Sequence, residues 1–184
     1  MRKILLTSAG FENRSIEGIF HELIGKEPKD IKALFIPTAA IYPDAIKVLP
    51  KCLDDLLDAG VLPDNIEVYD LHYGMNYEEL CKYDAIYVCG GDTEYLLKRI
   101  NDTKFNISLK QFVDKGGVYV GVSAGSIVGA NNLPNNLGFI NCTLGVHVLE
   151  GSNAGETDTS LCPNIDLTNN QAILIKGDKY LIVE

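Results

Sequence analysis

The sequence predicts an α/β domain built on a doubly wound, mostly parallel β-sheet with helices on both faces. Three observations point to this fold. Short, continuously apolar runs of strand length recur along the chain, segments with helical periodicity lie between them, and glycine turns follow two of the runs. Continuous apolar runs are typical of strands buried on both faces of a parallel sheet. Strand–helix alternation is typical of βαβ units.

The predicted strands are rich in Ile, Val, Leu and Tyr. Five of them form the sheet and cover residues 3–7, 33–36, 66–71, 85–88 and 118–122. Near the end of the sequence, residues 172–175 and 180–183 flank Gly177-Asp178, which predicts a C-terminal β-hairpin.

The predicted helices occupy the segments between these strands. Apolar residues at helical spacing between positions 16 and 24 predict the first helix, with Ser15 as its cap and Gly25 as its end. Residues 44–59 are also predicted to be helical, and Pro50 predicts a kink or two short helices there. Three further helices are predicted over residues 77–82, 93–100 and 107–115.

Length and composition limit the classes of protein that fit. The 184 residues predict one domain over 1–184, and 46% hydrophobic and 22% charged residues are ordinary globular values. A net charge of −9 disfavours nucleic acid and anionic membranes as partners. No apolar run suits a signal peptide or a membrane span, and five scattered cysteines without CxxC spacing are typical of reduced thiols, so a cytoplasmic protein is expected. No metal or cofactor is expected, and the oligomeric state is left open.

The segment that carries chemistry is residues 117–128, where a strand runs through Gly-Val-Ser-Ala-Gly into a helical run. This matches the GxSxG elbow, in which small neighbours allow a sharp turn that exposes the serine hydroxyl at the carboxyl edge of the sheet. Ser123 is therefore the candidate nucleophile, and the amide of Ala124 is a candidate donor to an oxyanion. The simpler alternative is a strand–helix turn made of small residues.

A second glycine turn follows the strand at 85–88. Gly90-Gly91 precedes a predicted helix, and Gly91 is the candidate for the second oxyanion amide. The structural alternative, which is compatible with this role, is a turn in which Asp92 or Thr93 caps the helix.

Three histidines are candidates for the general base. His21 falls on the polar side of the first helix, His72 follows the third strand, and His147 lies in a short apolar stretch after the elbow. Local pattern alone does not separate a catalytic His147 from a buried structural histidine.

Several of these segments resemble the dipeptidase E (aspartyl dipeptidase) family of serine peptidases. The similar segments, in the order in which that family has them, are residues 6–11, 35–39, 90–97 and 121–125. The resemblance implies a flavodoxin-like fold related to class I glutamine amidotransferases, Ser123 as nucleophile and the amides of Gly91 and Ala124 as oxyanion donors. It also favours His147 over His72 as base, because the family's histidine follows a leucine-containing segment past the elbow.

The third member of the triad departs from the family. The family has an aspartate where this sequence has Asn132, and no Asp or Glu occurs between Ala124 and Leu149. A later family segment that often carries an acid corresponds to residues 167–172, which also contain asparagine. Asn132 is predicted to orient the imidazole. The alternatives are three downstream carboxylates: Glu150, Glu156 and Asp166.

These features predict a serine-type peptidase that hydrolyses small peptides through an acyl-enzyme on Ser123. Asp-initiated dipeptides are the substrates that the resemblance implies. Serine at position 123 disfavours a glutamine amidotransferase, which uses cysteine, and the absence of an acid between Ser123 and His147 disfavours an α/β-hydrolase esterase. The rival hypothesis is a catalytically weak or inactive family member that binds a small peptide or a protein partner.

Overall fold

The computed structural model describes residues 1–184 and contains ten strands and six α-helices. The strands, numbered in chain order, are β1 (Lys3–Thr7), β2 (Ala33–Ile36), β3 (Ile66–Val68), β4 (Ala85–Val88), β5 (Val118–Val122), β6 (Thr143–Gly145), β7 (Gly155–Glu156), β8 (Asn164–Asp166), β9 (Ala172–Lys176) and β10 (Lys179–Val183). The helices are α1 (Arg14–Ile24), α2 (Pro43–Asp58), α3 (Tyr77–Leu80), α4 (Thr93–Asp102), α5 (Phe105–Asp114) and α6 (Ala124–Ile127).

Eight strands form one sheet in the order β3-β2-β4-β5-β1-β9-β10-β7. The five strands from β3 to β1 are parallel, whereas β9 pairs with β1 in the antiparallel direction and continues into the β9–β10 hairpin. A separate two-stranded parallel sheet joins β6 to β8. The predicted doubly wound, mostly parallel fold with a C-terminal hairpin is therefore confirmed.

Two apolar cores lie on opposite faces of the sheet. In β1, Leu5 faces the core that contains α1 and α2, whereas Ile4 and Leu6 face the core that contains α4 and α5. This alternation follows from the two-residue period of a strand, and burial on both faces explains why the central strands are continuously apolar. The carboxyl ends of the parallel strands meet at one edge, where α/β sheets bind their ligands.

Three elements differ from their predicted form. Asn13, not Ser15, caps α1, because its Oδ1 accepts from the Ile16 N–H at 3.0 Å. Helix α2 continues through Pro50, which lies on the exposed side of the helix, where water can hydrate the carbonyl that has lost its partner. Strand β3 ends at Val68, because the chain then turns to hydrogen-bond with Thr38, whose Oγ1 accepts from the Leu71 N–H at 2.9 Å.

None of the helices has both the length and the apolar character needed to cross a membrane.

Candidate active site

Ser123 occupies the sharp turn between β5 and α6. Its φ of 50° and ψ of −108° are unusual for a residue with a side chain, which is the strain expected at a nucleophile elbow. Both neighbouring glycines are required sterically: a Cβ at Gly121 would lie 2.5 Å from the Gly125 carbonyl oxygen, and one at Gly125 would lie 2.2 Å from that of Val88. The turn therefore holds the Ser123 hydroxyl at the carboxyl edge of the sheet.

The Gly90-Gly91 turn after β4 packs directly against the serine. A Cβ at Gly90 would lie 3.0 Å from the Ser123 Cβ, and one at Gly91 would lie 2.0 Å from the Ala39 carbonyl oxygen. The amide N–H groups of Gly91 and Ala124 donate to no other backbone group, so neither is committed to a partner within the backbone.

His147 lies between Ser123 and Asn169. Its Nε2 is 3.0 Å from the Ser123 Oγ, and its Nδ1 is 2.8 Å from the Asn169 Oδ1. An amide oxygen can only accept, so this contact keeps the ring proton on Nδ1 and leaves the Nε2 lone pair facing the serine hydroxyl. The arrangement can therefore take a proton from Ser123.

The backbone around His147 is held by the end of β1. The His147 N–H donates to the Oγ of Ser8, a fully buried residue, at 2.8 Å, and His147 itself has a φ of 59°. Antiparallel pairing aligns Thr7 with Ala172, and the Ser8 N–H donates to the Gln171 carbonyl oxygen. The segment that carries Asn169 therefore reaches the same edge as the elbow because β9 pairs with β1.

The sequence model of peptidase family S51 matches residues 4–137. The chain belongs to peptidase family S51. This membership confirms the resemblance to dipeptidase E. The matched residues include the Gly90-Gly91 turn and Ser123, and they end before His147.

Two uncharacterised peptidases belong to the relatives that the chain matches. One, from Pasteurella multocida, is 28% identical over 99 residues, which cover 54% of this chain and 48% of the relative. The other, from Listeria monocytogenes, is 29% identical over 102 residues, with the same coverage of 54% and 48%. The aligned part of the chain thus spans about half the length of these relatives.

Two crystal structures of bacterial proteins have the same fold. One is a Listeria monocytogenes EGD-e protein described as a peptidase E, with a TM-score of 0.77 and 21% identity over all of this chain and 98% of the other. The second is a peptidase from an acI-B1 Actinobacterium, with a TM-score of 0.66 and 18% identity over all of this chain and 87% of the other.

Asn132 does not contact the imidazole, which corrects the prediction that it orients His147 in this S51 chain. Its Nδ2 donates to the Leu144 carbonyl oxygen and its Oδ1 accepts from the Leu144 N–H, both at 2.9 Å. Because both ends of the amide are used by the backbone of β6, Asn132 has a local structural role. The contact to the imidazole that was predicted for Asn132 is made by Asn169 instead. The sequence signal for Asn169 was the family segment at residues 167–172.

None of the three downstream carboxylates hydrogen-bonds to His147. The Asp166 carboxylate accepts from the Asn164 Nδ2 at 2.8 Å, Glu156 lies in the edge strand β7, and Glu150 is exposed. The imidazole of this S51 chain is therefore oriented by a neutral amide.

The rival histidine and the neighbouring serine both have other partners. The Nε2 of His72 lies 2.9 Å from the Asp70 Oδ2 in an exposed pair. The Oγ of Ser126 is buried, 2.7 Å from the Thr7 carbonyl oxygen and 2.8 Å from that of Gly121. Neither side chain lines the cavity in which Ser123 lies.

That cavity has a volume of about 370 Å³. It is lined by Ser123, His147 and Asn169, by the Gly90-Gly91 turn, and by residues of helix α2 and of the loop after β1. The volume falls within the range of small-molecule sites, roughly 300–1,000 Å³. No group of three or more His, Cys, Asp or Glu side chains is arranged to hold a metal ion.

A half-buried carboxyl, that of Asp55, supports the loop after β1. Burial raises the pKa of Asp55 to about 6, although its Oδ2 accepts from the Tyr87 hydroxyl and from the Phe11 N–H at 2.9 Å, and both contacts favour the charged form. Gly10 allows this close packing, because a Cβ there would lie 2.1 Å from the same oxygen.

Proposed function

We propose that this chain is a serine-type peptidase that hydrolyses small peptides through an acyl-enzyme on Ser123. The observation that supports this most strongly is the series of contacts from the Ser123 Oγ to His147 and on to Asn169, at 3.0 and 2.8 Å. Nucleophile, base and orienting group within hydrogen-bond reach are the pattern expected of an activated serine.

In the proposed reaction the Ser123 Oγ attacks the scissile carbonyl carbon while His147 Nε2 takes the hydroxyl proton. The amides of Gly91 and Ala124 donate to the oxyanion of the tetrahedral intermediate. His147 then gives its proton to the leaving amine, which leaves an acyl ester on Ser123. A water molecule, deprotonated by the same imidazole, hydrolyses that ester and restores the serine.

The neutral side chain of Asn169 limits the turnover expected from this mechanism. Its oxygen keeps the imidazole in the useful tautomer, but a neutral amide contributes no negative charge to stabilise the imidazolium that forms during attack. We therefore expect turnover below that of an enzyme with a carboxylate at this position. The neutral amide also supports the alternative of an inactive peptide-binding protein. Hydrolysis of dipeptides distinguishes a peptidase from that alternative.

The size of the cavity supports small peptides as substrates. The resemblance implies an N-terminal aspartate, and the charged side chains that line the cavity are Lys51 and Glu12, which form an ion pair with each other. The proposal therefore extends to short peptides as a class, without a preference for aspartate.

The test is hydrolysis of a panel of dipeptides, followed by chromatography of the released amino acids. The wild-type chain and Ser126→Ala should cleave members of the panel, whereas Ser123→Ala should lose cleavage while keeping its circular dichroism spectrum. Binding of a dipeptide without cleavage by the wild type would favour the peptide-binding alternative. Equal cleavage by Ser123→Ala would refute the proposal.

A further inference from the structure

One wall of the cavity is not used by the proposed chemistry. It consists of one face of α2 together with the loop that follows β1, and it lines the same cavity as the reacting groups. Because the scissile carbonyl sits at Ser123 in the proposed reaction, this wall is available to the parts of the substrate that occupy the rest of the cavity.

The α2 part of the wall is an apolar stripe. Ala45, Val48, Leu49 and Cys52 line the cavity at the spacing i, i+3, i+4 and i+7, which places them on one face of the helix. Only Cys52 is buried, and Val48 is 49% exposed. The stripe is therefore not fully covered by the core, and it presents apolar surface to whatever occupies the cavity.

The loop part of the wall contributes one carboxylate. The Glu12 side chain is 24% exposed and pairs with Lys51 of α2, whose side chain is 58% exposed. No arginine lines the cavity. The more exposed lysine, on a flexible four-carbon stem, can move into water at small cost, whereas the less exposed carboxylate of Glu12 then favours another cation in its place.

We infer that the cavity binds the free N-terminal residue of a peptide and prefers an apolar side chain there. Glu12 accepts the α-ammonium group in place of Lys51, and the α2 stripe contacts the side chain. An N-terminal aspartate would place a carboxylate against the apolar surface of the α2 stripe, which is unfavourable. This inference rests on the proposed function, since it places the scissile bond at Ser123.

The experiment measures how dipeptides protect Ser123 from a fluorophosphonate probe, which forms a bond to an activated serine whether or not peptide turnover is fast. The competing ligands are Leu-Ala, Asp-Ala and N-acetyl-Leu-Ala. We expect Leu-Ala to protect at a concentration about tenfold or more below that of Asp-Ala, because apolar contacts in a pocket discriminate on this scale. Acetylation removes the positive charge, so the third ligand should protect at least tenfold less well than Leu-Ala.

Variants test which part of the wall causes each difference in protective concentration. Glu12→Gln should raise the protective concentration of Leu-Ala about tenfold and leave that of N-acetyl-Leu-Ala unchanged. Val48→Ser should weaken Leu-Ala more than Asp-Ala. The matched control is Glu17→Gln, which removes a partly exposed carboxylate on α1 that pairs with His21, and it should change none of the three values.

The outcomes separate the inference from the proposed function. If Ser123 is labelled but Asp-Ala protects as well as Leu-Ala, or Glu12→Gln weakens both forms of Leu-Ala equally, the inference is wrong and the serine chemistry stands. If the wild-type chain is not labelled at all, the proposed function fails and the inference fails with it.

Discussion

The loops that carry Asn132 and Asn169 have similar chemistry and different roles. Each presents an exposed asparagine in a part of the chain where the family resemblance favours an acid. The Asn132 amide is occupied on both sides by the backbone of Leu144, whereas Asn169 turns its oxygen to His147. One asparagine therefore ties its loop to β6, and the other orients the proposed base.

The difference between the two asparagines comes from the pairing of strands that are far apart in sequence. Asn169 is brought to the site because β9 aligns with β1, so that Ala172 lies beside Thr7 at the end of β1. Asn132 follows the elbow closely in sequence, but its local loop folds onto β6 instead. Proximity in sequence to the nucleophile is thus a poorer guide to the third partner than the register of the sheet.

The largest expected effect comes from removing the His147 imidazole, which of these two loops is contacted only by the one that carries Asn169. His147→Ala should lower kcat/KM for dipeptide cleavage by about 10²–10⁴-fold, because proton transfer to and from Ser123 is lost. His72→Ala is the matched control, since His72 is also an exposed histidine with a hydrogen-bonded partner, Asp70. Steady-state kinetics should rank the variants in this order, and a larger loss in His72→Ala would contradict the account.

Exchange of each asparagine for aspartate sharpens the comparison. Asn169→Asp should raise kcat by about fivefold, because a hydrogen bond to a charged acceptor is worth about 1 kcal/mol more than a neutral one. It should also move the acidic limb of the pH–rate profile to higher pH, because a carboxylate stabilises the imidazolium. Asn132→Asp should change neither quantity. A gain confined to Asn132→Asp would show that the wrong loop has been assigned.

Removing each side-chain amide should reverse the ranking of the two asparagines, because stability should depend on Asn132 more than on Asn169. Asn132→Ala leaves the N–H and C=O of Leu144, a buried residue, without their partners and should lower the free energy of unfolding by about 1–2 kcal/mol. Asn169→Ala should change the same free energy by no more than about 0.5 kcal/mol, since its side chain is exposed. Urea denaturation measures both, and equal losses would remove the distinction between the two loops.

A further expected effect on stability lies outside both loops, at Asp55. Burial raises its pKa in the folded chain to about 6, so the folded state holds this proton more tightly than the unfolded state. The stability that this group contributes is present below about pH 4 and is lost as pH rises through about 6, by on the order of 3 kcal/mol. Asp55→Asn should remove that dependence in urea titrations at pH 4–8, whereas Asp54→Asn, an exposed neighbour on α2, should retain it.

The parallel half of the molecule could be predicted from sequence because its signals are local. Strands β1, β2, β4 and β5 have the predicted bounds, since burial on both faces makes each run continuously apolar. The elbow at Ser123 was also predictable, because its glycines are required by close backbone contacts.

The parts that were not predicted depend on contacts between distant segments. Ser8 supports His147, and Asn169 orients it, only because β1, β5 and β9 are neighbours in the sheet. No spacing pattern in the sequence encodes that adjacency. The cap of α1 was missed for a simpler reason, since Asn13 and Ser15 are both good capping residues and the choice depends on where the first turn begins.

The central claim is that Ser123 is an activated nucleophile, and intact-protein mass spectrometry after fluorophosphonate treatment tests it most directly. The wild-type chain, Asn132→Ala and Ser126→Ala should each gain one phosphonyl group, mapped to Ser123 by peptide sequencing. Ser123→Ala should gain none, and Asn169→Ala should be labelled more slowly, by about tenfold. An unlabelled wild-type chain, or labelling that persists in Ser123→Ala, would contradict the account.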